Sequence, residues 1–158
     1  MNRRITGSLP TLLAALVLIG GLTLASTQNA LAAEDVVTQT VAAPFDKVVT
    51  NLKRQITRHK LVIVKEVPFQ KMLGMVGVKA ERMLGFEIFH PRYGKVLYEN
   101  DPAAFKDAPL RILVREVRGK VNLEYRKPSV VFAPYPGLSK LGKELDEVFA
   151  DIVTRVAG

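Results

Sequence analysis

The chain has 158 residues, with 23 Lys+Arg against 15 Asp+Glu, two histidines and no cysteine. That length allows one domain of ordinary size. The missing cysteine excludes a disulfide framework, a Cys zinc site, an iron–sulfur cluster, a thiol nucleophile, covalent haem and a lipoprotein anchor; with only His59 and His90 besides, no metal and no cofactor is expected.

Arg3 and Arg4 precede an uncharged run from Leu9 to Leu24, and small and polar residues then close on Ala30-Leu31-Ala32. A charged start, an apolar middle and an A-x-A close are the three parts of a secretory signal peptide. The apolar run is shorter than the ~20 residues that a membrane span needs. The expectation is a signal peptide over residues 1–32, one domain over 33–158, no integral membrane span after cleavage, and a periplasmic or secreted location. Cleavage takes Arg3 and Arg4 from the 23 basic residues and none of the 15 acids, so the remaining 126 residues carry +6. An exported basic domain has little access to nucleic acid, which is not expected as a partner. Anionic surfaces or small anionic ligands are the partners that such a charge favours.

Along the mature chain, Val36 to Val41 alternates with β-branched residues and predicts a strand. Ala43-Pro44 opens a helix to about His59, with Phe45, Val48, Val49, Leu52 and Ile56 in one apolar stripe. Leu61 to Val67 is a second strand, stopped by Pro68. The stretch to Ala80 reads as a short helix broken by Gly74 and Gly77, with Met72 and Met75 as core filler. Met83 to Phe89 is a third strand, in which Gly85 marks a bulge or a close backbone approach. Arg92 to Glu99 predicts one or two helical turns, then a loop through Asp101-Pro102. Leu110–Val117 and Val121–Tyr125 alternate around Arg118-Gly119 and predict a hairpin. A closing helix runs from about Ser139, a candidate N-cap, to Val156. The fold expected is α+β and two-layered: a mainly antiparallel four- or five-stranded sheet covered on one face by two amphipathic helices.

Three stretches carry a family resemblance: Phe89-His90-Pro91 with Gly94; Ala108-Pro109-Leu110-Arg111-Ile112-Leu113-Val114; and Val121 to Tyr125-Arg-Lys-Pro128. Together they resemble the domain of unknown function 302 family, over roughly Asp35 to Val156. What the resemblance implies is a small α+β fold of this order and self-association, hence a homodimer. It implies no known reaction. Many relatives resemble Phe-Gly-Asn-Pro at the strand end, where this chain has His90 before the proline, so a role for His90 is not carried over.

His90 is the most informative candidate, at a strand end with Tyr93 and Asp101 close in sequence. With Tyr93 or Asp101 it would suit acid–base chemistry. The structural alternative is that its ring bonds a backbone carbonyl and holds the turn. Arg111 and Arg115 share one strand face and suggest a basic patch. His90, Tyr93, Arg111 and Arg115 are the ligand-site candidates, and no catalytic residue is named. His59 is expected to cap a helix dipole. The function favoured is an exported domain binding a small, anionic ligand or a partner surface. The alternatives are an enzyme using His90 and a self-associating interaction module.

Overall fold

The computed structural model describes residues 35–158, so the expected signal peptide and its cleavage site lie outside the described residues. β1 (Val36–Val41) leads into α1 (Phe45–Arg58) and β2 (Val62–Val67); α2 (Phe69–Gly74) precedes β3 (Met83–Phe89). Then come α3 (Pro91–Asn100), a 3-10 turn (Pro102–Lys106), the β4–β5 hairpin (Leu110–Val117, Lys120–Arg126), α4 (Pro128–Val131) and α5 (Ser139–Ala157). The strands form one five-stranded sheet in the order β1-β5-β4-β3-β2, antiparallel throughout. The fold is the α+β arrangement that the sequence leads one to expect.

Period-two alternation assigns the faces. Phe86, Ile88, Ile112, Val114, Val121, Leu123 and Tyr125 point inward and meet the stripes of α1 (Val48, Leu52, Ile56) and α5 (Phe149, Ile152, Val153, Val156). A second cluster lies at one end of the sheet, where Leu97 of α3, Ala104, Phe132 and Leu138 meet Leu141 and Leu145 of α5. α5 serves both clusters because its 19 residues span roughly 28 Å.

Local chemistry sets the boundaries. α1 ends in a Schellman arrangement: Lys60 has φ 58°, its N–H donates to Thr57 O, and Leu61 N–H donates to Ile56 O. His59 is the C-cap, and its two ring nitrogens lie 2.8 Å from Gln55 O and from Asp151 Oδ2 on α5. The hairpin turns on Arg118 and Gly119, both with positive φ, which matches the strand twist.

Several expectations are corrected. Met72 and Met75 do not fill the core: they are 52% and 81% exposed. α2 is pinned to the sheet by Phe69, whose ring covers Gly85, and the rest of the α2 connection extends beyond that anchor. Gly85 is accordingly a close approach and no bulge, since a Cβ there would come within 2.8 Å of the Phe69 ring; the register shift falls on β2, between Ile63 and Lys65. Ser139 is the first residue of α5, with Leu138 at the cap position and no side-chain cap. The 3-10 turn occupies the stretch that reads as loop through Asp101-Pro102.

Candidate functional site

The four candidate residues fall into two neighbouring places. His90 follows β3 and is the N-cap of α3, where its Nδ1 accepts the Arg92 backbone N–H at 3.0 Å. Pro91 follows at N1, where a missing N–H costs nothing. His90 therefore holds the turn, but through a backbone N–H and not a carbonyl. An accepting Nδ1 puts the proton of the neutral ring on Nε2. Tyr93 sits one turn on, its ring 5.4 Å from the imidazole. Its hydroxyl donates to Glu144 on α5 at 3.4 Å, and Arg92 reaches the same carboxylate at 3.3 Å. Burial, followed by the Glu144 charge, pushes the Tyr93 hydroxyl up from its ordinary pKa.

Asp101 stands at the opposite end of α3, roughly 15 Å from His90 by helical rise, and caps the 3-10 turn through Ala103 N–H. A His90–Asp101 couple is therefore not assembled. The space beside His90 and Tyr93 is a seam between the two apolar clusters, walled by Leu61, Phe89, Leu97 and Phe132, with a volume of about 20 Å³. That is room for about one water molecule.

Arg111 lies in a larger place. At the end of the outer sheet face where β5 finishes and β4 begins, a cleft of about 380 Å³ opens between Val36, Arg111, Leu113, Arg126, the Asp107–Pro109 loop and Val131 of α4. Asp107 and Glu124 also line it, yet both carboxylates are engaged. The Tyr135 hydroxyl donates to Asp107, which raises the tyrosine's pKa. Arg115 brings its Nε to 2.9 Å from Glu124, and Asn122 adds a bond at 3.3 Å. Arg111 pairs with Glu87 at 2.8 Å. Arg115 itself is outside the cleft lining, four residues further along β4.

Among the described residues Arg126 forms no ion pair, although it lines the cleft and is exposed. Sequence alternation places Arg126 on the outer face, yet only the pairing of the other charges shows it as the available cation. Asp107 and Tyr135 carry no sequence signal, because their meeting depends on how the second cluster folds back. Among the described residues no group of three or more His, Asp and Glu is placed to hold a metal ion, and no helix is long and apolar enough to cross a membrane.

The family model for a domain of unknown function, DUF302, matches residues 37–156. A solved structure described as an uncharacterized conserved protein DUF302 from Bacillus stearothermophilus is 16% identical to this chain, with a TM-score of 0.72. The match covers 77% of this chain and 98% of that one and shows a common fold. No curated protein matches the chain. The chain belongs to the DUF302 family.

Proposed function

We propose that this DUF302-family domain is an exported binding domain that takes a small amphipathic anion in the cleft beside Arg126. The observation that carries the reading is the exposed arginine of that cleft, which no carboxylate pairs among the described residues. Glu124 and Arg111 are ion-paired and Asp107 holds its charge against the Tyr135 hydroxyl, whereas Arg126 is exposed and forms no ion pair among the described residues. Val36, Pro109, Leu113 and Val131 supply apolar wall next to that cation. A few placed polar groups on an apolar wall are what small-ligand clefts use. Arginine suits a carboxylate or a phosphate through its forked donors. Export is supported by the leader that closes at Ala30-Leu31-Ala32.

Native mass spectrometry of the protein recovered from its own compartment tests the reading, with Arg126→Gln recovered in parallel. The expected result is a bound small anion on the wild-type chain and its loss from the variant. Identical spectra for the two proteins, or a bound cation, would overturn it.

A further inference from the structure

The connection between β2 and β3 holds an uncharged run, Met72-Leu73-Gly74-Met75-Val76-Gly77-Val78, bracketed by Lys71 and Lys79. Met75 is 81% and Val76 76% exposed, with Met72 and Val78 about half exposed. Folded proteins seldom leave so many adjacent apolar side chains in water without a partner. The registers Val67↔Gly85, Met83↔Arg115 and Val117↔Lys120 put this tip and the Arg118-Gly119 turn at one end of the sheet. Lys71, Lys79, Arg118 and Lys120 are exposed there and form no ion pair among the described residues. The anion cleft is at the other end of the sheet, about 25 Å away along the eight residues of β4.

We propose that this end docks on an anionic phospholipid surface, with Met72, Met75, Val76 and Val78 entering the headgroup boundary and the flanking cations meeting lipid phosphates. An apolar wedge flanked by Lys71, Lys79, Arg118 and Lys120, which outnumber the exposed Glu81 beside them, is complementary to such a surface on both counts. A second copy of the chain is a poorer occupant: a twofold contact through the tip would set the four cations of one copy against those of the other. Docking in this orientation leaves the cleft facing the solution.

The chain contains no tryptophan, so one placed at the tip reports on the tip alone. Met75→Trp is compared with Tyr98→Trp, which is exposed on α3 at the other end of the sheet, using vesicles of phosphatidylcholine with phosphatidylglycerol and brominated acyl chains. Met75→Trp emission is expected to shift to the blue and be quenched, and Tyr98→Trp emission to stay unchanged. Lys71→Ser with Lys79→Ser should weaken vesicle binding by roughly tenfold or more at low salt, and raised salt should do the same to the parent. An unquenched Met75→Trp, or equal quenching at position 98, would overturn the proposal. A blue shift that appears without lipid and grows with protein concentration would also overturn it, by assigning the tip to a second copy.

Discussion

The two faces of the sheet are built from alternate residues of the same strands yet obey different physics. Phe86 on β3 is fully buried between the sheet and α1, and pairs across the ladder with the equally buried Ile112. Its neighbour Glu87 faces the other way and meets Arg111 directly opposite. On the inner face, position is set by removal of apolar area from water, which is additive and large. On the outer face it is set by pairwise charge contacts in partial contact with water, which are small and exchangeable. Stability therefore concentrates on one side of a layer one residue thick, and the other side is left open to change its chemistry.

Phe86→Ala is the strongest way to probe that division. It removes a ring from the centre of the inner cluster, and a loss of about 3–5 kcal/mol is expected in a urea melt. A loss below about 1 kcal/mol would mean that the inner face does not carry the stability.

Tyr125 gives an intermediate effect from the same face. Burial, reinforced by the Asp146 charge, pushes its hydroxyl from 10.0 up to about 12. A raised folded value means that folding holds the proton. The contribution is complete below the unfolded value near 10 and is lost as pH climbs through 12. An alkaline loss on the order of 2 kcal/mol is expected over that window, and Tyr125→Phe should remove it. Tyrosinate absorbance should show the Tyr125 step only as pH approaches about 12, and that step should be missing from Tyr125→Phe. A Tyr125 step already complete near pH 10 would erase the contrast between the inner face and water.

The smallest effect is expected on the outer face. Arg111→Gln with Arg115→Gln removes both cross-strand pairs, to Glu87 and Glu124, and should cost within about 1 kcal/mol in the same urea melt. A loss comparable to that of Phe86→Ala would make the two faces equivalent.

What was legible in the sequence follows this division. The stripes of α1 and α5 and the alternation of β4 and β5 repeat at the period of their own backbone, so burial can be read from spacing. The second cluster has no such period. Ala104, Phe132, Tyr135 and Leu138 come from a 3-10 turn and the segment that follows α4, and they meet where α3 and α5 pack on them. Met72 and Met75 look like core filler by composition, and nothing local reveals that the Phe69 ring is what covers Gly85. At the site, the outer-face placement of Arg111, Arg115 and Arg126 is plain from alternation. Their partners are not, because Glu87 becomes opposite Arg111 only once β3 is known to lie beside β4. His90 looked reactive because a histidine at a strand end is conspicuous, and its capping bond to Arg92 N–H is set by backbone geometry that no residue pattern displays.

The pairing of β1 with β5 joins Val36 to Arg126 and Val41 to Val121. β1 is an edge strand, and β5 is its one neighbour in the sheet. On a ribosome adding roughly 5–20 residues each second, that neighbour is made on the order of ten seconds after β1. During that interval the first strand has no intramolecular ladder to join, and long-range closures of this kind are the slow ones. A nascent chain cut short anywhere before Val121 cannot complete the sheet, so assembly of this domain waits for most of its length to be made.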